Sequence, residues 1–143
     1  MEGCILAWNN FVNRQMKNCS RMTNAFFAID RESVLLLCLS VSYIAGKMMV
    51  VRALEAGAEL LTVKVSSHPL RITGQEEYVD RRIDLAAMVP MQVEESMKSE
   101  SEKQRFGYIR HLIIGGAPVS VALEERLKKI PTQCYATYGM TET

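Results

Sequence analysis

The stretch SVLLLCLSVSYIAGKMMVVRALEAGAELLTVKV (Ser33–Val65) decides how the chain is read. Its opening residues, SVLLLCLS, form a solid apolar run with a turn-like Asp30 before them. A strand with one wet face would alternate, so this one is read as buried on both faces. YIAGKMMVVRALEAG follows, helical in composition and closed by Gly57, a candidate left-handed C-cap. AELLTVKV then reads as a second strand. Strand, helix and strand in that order describe a parallel pair, because parallel neighbours need a crossover connection.

Working outward, the alternation continues in both directions. Upstream, Trp8, Phe11, Val12, Met16, Cys19, Met22, Ala25 and Phe26 recur at spacings of three and four, which predicts an amphipathic helix from Trp8 to Phe27. Downstream, Glu76 to Arg82 reads as a short helix, DLAAMVP as a strand ended by Pro90, and Met91 to Glu102 as a helix with a charged outer face. IRHLIIGG is another strand, VSVALEERLKKI a helix capped by Ser120 or the turn before it, and TQCYATYG a last strand. The expected fold is α/β: a mostly parallel sheet of about five strands with helices on both faces. Its strands begin near Val34, Leu60, Leu85, His111 and Cys134.

The totals narrow the function classes. A chain of 143 residues suits one domain, and 48% hydrophobic with 23% charged residues argues against disorder. With 17 basic and 16 acidic residues there is no global field to draw nucleic acid or an anionic membrane. Cys4, Cys19, Cys38 and Cys134 lie far apart, without a CxxC pair or a histidine at metal-ligand spacing. They are read as reduced, mostly core thiols, which points to the cytoplasm. The longest apolar run, Val34 to Ser42, is too short to span a bilayer, and MEGCILAW lacks the basic start of an export signal. Nine methionines in helix-like segments read as core filling.

Ligands of a parallel sheet gather where strands end and helices begin. Three loops qualify: SVSYIAG (Ser40–Gly46), GGAPVS (Gly115–Ser120) and YGMTET (Tyr138–Thr143). Gly115 and Gly116 let a flat ligand lie against backbone, though such a pair is also an ordinary tight connection and is too short for a phosphate fingerprint. YGMTET offers an aromatic face in Tyr138, a backbone opening in Gly139, a hydroxyl in Thr141 and a carboxylate in Glu142. Together these suit a purine, a phosphate and a Mg²⁺ ion.

YGMTET resembles the Tyr-Gly-x-Thr-Glu motif of the acyl-adenylate-forming (AMP-binding) enzymes, among them acyl-CoA synthetases, peptide-synthetase adenylation domains and luciferases. GGAPVS, about twenty residues upstream, is similar to that family's glycine-rich acyl-pocket turn. LLCLSVSYIAGKMMVVRALEAGAEL resembles the segment they write as Pro-Leu-x-His-x-x-Gly followed by a helix. With SSHPL and DLAAMVPMQV, the wording is most similar to the o-succinylbenzoate–CoA ligases of menaquinone biosynthesis. The resemblance implies a partial adenylation domain over residues 16–143, a central part of the large N-terminal domain, behind a divergent segment 1–15.

By that resemblance the parent activity is ATP-Mg²⁺-dependent adenylation of an aromatic carboxylic acid and its transfer to CoA. Tyr138 flanks the adenine, Thr141 bonds the phosphate, Glu142 ligates Mg²⁺, and Gly115, Gly116, Ala117 and Gly139 line the nucleotide cleft. Thr141 and Glu142 are the catalytic pair. The acid side takes Tyr43, Lys47, Arg52 and Gly115. Ser40 stands where relatives carry proline, and Tyr43 where they carry a gating histidine; tyrosine keeps the plane but does not titrate near neutral pH. Arg52, among apolar neighbours, either pairs with a surface carboxylate such as Glu55 or grips a carboxylate of a dicarboxylic aromatic acid. Lys47 is the reserve for that grip. His68 reads as a loop residue and His111 as a strand-edge residue.

The family's Ser/Thr/Gly-rich phosphate loop does not occur in these residues, nor does its C-terminal lysine segment. The isolated chain is therefore expected to be inactive, and a complementary chain or a second copy of itself is the partner left open. Two other readings stay open: a non-catalytic α/β module that kept the sheet, and a regulator binding nucleotide through the adenine side alone.

Overall fold

The computed structural model of the chain describes residues 2–71 and 81–136. Strand β1 (Val34–Leu37) has all four side chains buried, as an apolar run without alternation requires. It pairs in parallel with β2 (Glu59–Thr62) on one edge and with β3 (Ile83–Met88) on the other. Parallel strands β4 (Ile109–Ile114) and β5 (Gln133–Ala136) complete a sheet of order β2-β1-β3-β4-β5. The five strands expected from the apolar runs are all present, and all are parallel.

Alternate strand residues face opposite sides and build two cores. On one side Leu35, Leu37, Leu85 and Ala87 pack against α1 (Glu2–Phe27) and α2 (Ile44–Ala56) through Phe27, Met49 and Ala53. On the other side Leu36, Ala86, Met88, Leu112 and Ile114 pack against α3 (Pro90–Met97) and α5 (Val121–Leu127) through Val93, Met97, Leu123 and Leu127. Among the described residues no helix is long and apolar enough to cross a membrane.

Two glycines set the path of α2. Gly57 ends it with φ 68°, the left-handed cap expected from the sequence, and donates back to Leu54 O at 3.3 Å. Gly46 lies in the first turn against the loop leaving β1. A Cβ there would stand 2.1 Å from the Ser40 carbonyl oxygen, an overlap only a shift of backbone could relieve.

Several expectations are corrected. The helix read as Met91–Glu102 is two helices, because Ser99 is extended and starts α4 (Glu100–Arg105), turning Glu102 inward. Arg81 and Arg82 are not helical, while residues 76–80 of that expected helix lie outside the described set. In α1 most of the expected stripe faces outward where its side chains are described: Met16 is half-buried, but Cys19 is exposed, Met22 is 74% exposed and Phe26 69%. Ser20, Asn24 and Phe27 face inward instead. Ser20 and Asn24 are small and polar, and Asn24 Nδ2 donates to the Arg52 carbonyl at 3.0 Å, while Phe27 joins the core beneath the sheet. The thiols are likewise mixed: Cys38 is buried, Cys134 half-buried and Cys19 exposed, all free. His111 is not at an edge, since β4 lies between β3 and β5. Its buried ring sits 4.9 Å from that of Phe27, and burial lowers its pKa from the ordinary histidine value.

Gly46→Ala is expected to destabilise the chain by about 2 kcal/mol or more, since backbone must move. Gly57→Ala, which only strains φ, should lose about 1 kcal/mol. Urea denaturation of both variants checks the order, and a Gly46→Ala loss smaller than that of Gly57→Ala contradicts the close-approach account.

Candidate functional site

Because every strand is parallel, all carboxyl ends share one edge of the sheet. From β1 the chain crosses to β2 on one side and later returns to β3 on the other, so the order reverses between β1 and β3. Loops diverge at such a point and leave a crevice. Residues 38–43 leave β1, residues 63–71 leave β2, Val89 leaves β3 and residues 115–120 leave β4.

Gln92, in the first turn of α3 and 2% exposed, ties three of these together. Its Oε1 accepts from the Val89 N–H at 3.1 Å. Its Nε2 donates to Cys38 O at 3.1 Å and to Ser66 O at 2.9 Å. Beside it, the Cys38 thiol donates to Ala87 O at 3.1 Å, and burial pushes its pKa up to about 12. The Gly115 N–H donates to Met88 O at 3.1 Å. Gly116 follows with φ 89°, and a Cβ on it would meet Val89 Cγ1 at 3.3 Å. Ser120 then caps α5, its Oγ accepting from Leu123 N at 3.1 Å, as the sequence suggested.

A second anchor holds the segment after β2. His68 Nδ1 lies 3.2 Å from both oxygens of the buried Glu102 carboxylate, and Nε2 lies 3.7 Å from Glu95. The expected loop histidine is thus an anchored one. Between α5 and β5 a cavity of about 430 Å³ opens, lined by Ile114, Val119, Leu127, Pro131, Cys134 and Ala136. Its size suits a small organic ligand.

The candidate residues fall into three groups. Gly115, Gly116 and Ala117 stand together at the end of β4, with Ala117 and Gly116 exposed. Tyr43 precedes the first residue of α2 and is 72% exposed, and Lys47 is exposed one turn further. Arg52 lies five residues beyond Lys47, about 7.5 Å along the helix axis, and is 7% exposed beneath α1. It does not pair with Glu55, which binds Arg21 at 2.9 Å. Arg52 instead sets Nη1 3.4 Å from Met49 Sδ, its Nε has no partner among the described residues, and burial lowers its pKa. Tyr138, Gly139, Thr141 and Glu142 lie outside the described residues. Among the described residues no group of histidine, cysteine or carboxylate side chains is placed to hold a metal.

Gln92 and the His68–Glu102 pair were not legible as site elements in the sequence. The one signal for Gln92 was local: Pro90 then Gln92 match the start of a helix whose third residue reaches back to cap it. The His68 pairing spans 34 positions and leaves no local pattern.

A doubly covered parallel sheet with its crevice at a strand-order reversal defines the class as a doubly wound α/β domain. Within it, the chain belongs to the AMP-binding enzyme family, whose model matches residues 3–143. No curated protein matches it significantly. Among solved structures it is similar to an acyl-CoA synthetase (AMP-forming)/AMP-acid ligase II-like protein from Dyadobacter fermentans, at 32% identity and a TM-score of 0.78. That match covers 90% of this chain and 35% of the other. O-succinylbenzoate coenzyme A synthetase (MenE) from Bacillus subtilis, in complex with ATP and magnesium ion, matches at 17% identity and a TM-score of 0.69, over 89% of this chain and 26% of that one. A single-substitution variant of E. coli MenE with bound OSB-AMS matches at 20% identity and a TM-score of 0.65, over 90% of this chain and 26% of that one. The chain thus spans about a third or less of these proteins, and the two MenE likenesses show the fold alone.

Cys38 lies under the crevice as a protonated, inaccessible thiol. A pKa raised from 9.0 to about 12 leaves roughly a thousandfold less thiolate, so native-state alkylation should label Cys19 and spare Cys38. Mass spectrometry of the labelled chain checks this, and comparable labelling of both would show that the crevice floor opens readily.

Proposed function

We propose that the chain forms part of the nucleotide- and acid-binding face of an AMP-forming acid–CoA ligase. The observation that carries this is the family match across residues 3–143, together with a Gly115–Gly116 turn at the carboxyl end of β4 that is hydrogen-bonded to the end of β3, beside the strand-order reversal. In that reaction a carboxylate oxygen attacks the α-phosphorus of ATP, the bond to the bridging oxygen breaks and pyrophosphate leaves. The CoA sulfur then takes the acyl group and AMP departs. Charge growing at the α-phosphate calls for a cation and fixed donors. The roles proposed are Glu142 for Mg²⁺, Thr141 for phosphate, Tyr138 and Gly139 for the nucleotide, and Gly115, Gly116 and Ala117 for the cleft wall.

For the acid we propose o-succinylbenzoate, on the wording of the loops after β1, β2 and β3, with Tyr43 and Gly115 beside it. A ring carboxylate would be held by Arg52 or Lys47. Arg52 offers the planar fork, and the unpartnered Nε supports a missing anionic partner. Lys47 offers an exposed ammonium nearer the crevice.

Titrating the chain with millimolar ATP and Mg²⁺ tests the reading. Amide signals of residues 115–117 and 138–142 should shift together, while pyrophosphate release with o-succinylbenzoate and CoA stays at the level of a heat-killed control. Shifts absent from both segments would remove the nucleotide role, and steady turnover would show that the separate phosphate loop is dispensable. In an enzyme carrying these residues with the phosphate loop and lysine segment, Arg52→Gln should raise KM for the dicarboxylic acid by about tenfold to a hundredfold, the value of a charge-assisted pair. ATP binding should be unchanged. An equal loss for an analogue without the ring carboxylate passes the role to helix packing, and the same test on Lys47→Gln decides for or against the reserve.

A further inference from the structure

We propose that Gln92 is the positioning residue of this site, the side chain that fixes the segments after β1, β2 and β3 relative to one another and seats the glycine turn upon them. A glutamine amide has one acceptor and two N–H donors in a plane. The structure uses all three: Val89 N–H on the oxygen, Cys38 O and Ser66 O on the nitrogen. These partners lie in the segments that follow three adjacent strands, in the order β2, β1, β3, and the reversal of strand order falls between the last two. Backbone pairing between β2 and β1 ends with Val63 N–H to Leu37 O at 3.1 Å, and three residues further on Ser66 is tied to Cys38 through the Gln92 side chain. Gln92 makes this tie at 2% exposure, where water cannot substitute for a lost partner.

The same contact reaches the fourth segment. Val89, whose amide Gln92 holds, presents Cγ1 3.3 Å from where a Cβ on Gly116 would stand, a tight contact, and Gly115 N–H is bound to Met88 O, one residue earlier. Displacing Val89 therefore displaces the floor beneath Gly115, Gly116 and Ala117. Gln92 is buried behind the segments it joins and acts through them. Its bearing on acid selection rests on the ligase function proposed above.

Hydrogen exchange without any ligand tests the coupling independently of that function. Gln92→Met keeps the volume and removes every polar contact. Gln92→Glu, ionised, keeps the acceptor and sets negative charge against two carbonyls; protonated, it regains one donor. Both variants should exchange roughly tenfold faster in residues 38–43, 63–69, 89–93 and 115–117 together, with the strand interiors unchanged. On mild acidification the excess should shrink in Gln92→Glu and persist in Gln92→Met. Wild type measured alongside controls for the ionisable side chains of His68, Glu95 and Glu102, which hold the same loop.

Faster exchange confined to residues 89–93 would reduce Gln92 to a helix cap and overturn the proposal. So would wild-type exchange in Gln92→Met, which would make the residue space-filling, or uniform loss of protection across the sheet, which would make it a general stabiliser. Coupled loosening in a chain whose wild type shows no ATP-induced shifts would uphold the positioning role while removing the ligase reading.

Discussion

The structure depends on β1 having no face that tolerates water. Leu35 and Leu36 are fully buried on opposite sides, so helices must cover both. Backbone amides shut away in this manner must also be paired along both edges. β1 is thus an interior strand by necessity. Once β2 takes one edge through α2, the chain has to come back and put β3 on the other. The crevice is a consequence of that return, and Gln92, Cys38 and Val89 occupy the place where it happens.

Much of this was legible from the apolar runs. Strands anticipated near Val34, Leu60, Leu85, His111 and Cys134 begin at Val34, Glu59, Ile83, Ile109 and Gln133. They were legible because a doubly covered strand cannot hide its composition behind alternation. Helix α1 was harder. Its apolar stripe is genuine in the sequence, but the described part turns Ser20, Asn24 and Phe27 inward, Asn24 to bond the Arg52 carbonyl of α2 and Phe27 to enter the core. Periodicity finds a helix and says less about which face a neighbour prefers. The break at Ser99 is likewise tertiary in its consequence, since the helix that restarts there sets Glu102 against His68, 34 positions away.

The site was legible to differing degrees for equally physical reasons. A glycine pair at a strand end announces a backbone demand, and Gly116 meets it with positive φ. A buried arginine announces that something must compensate it, and the sequence named Glu55, which a surface arginine from α1 had already taken. Contacts such as Gln92 with Cys38, separated by 54 positions, depend on strand order, and strand order does not appear in local composition.

The register of the sheet also bears on how the chain assembles. β1 meets β2 through partners 25 positions apart, as Leu35 with Leu60, whereas β1 meets β3 through Leu35 and Leu85, twice that distance. Doubling a closing loop adds only about 0.6 kcal/mol of entropy, too little to matter for the finished fold. It matters for the order of events, because distant pairings are slow and nothing in an all-parallel sheet closes as a hairpin. The unit from β1 to β2 can form early, with one edge of β1 bare until β3 arrives. The crevice is then among the last features to exist, and a chain arrested before that step presents a hydrophobic strand edge to whatever it meets.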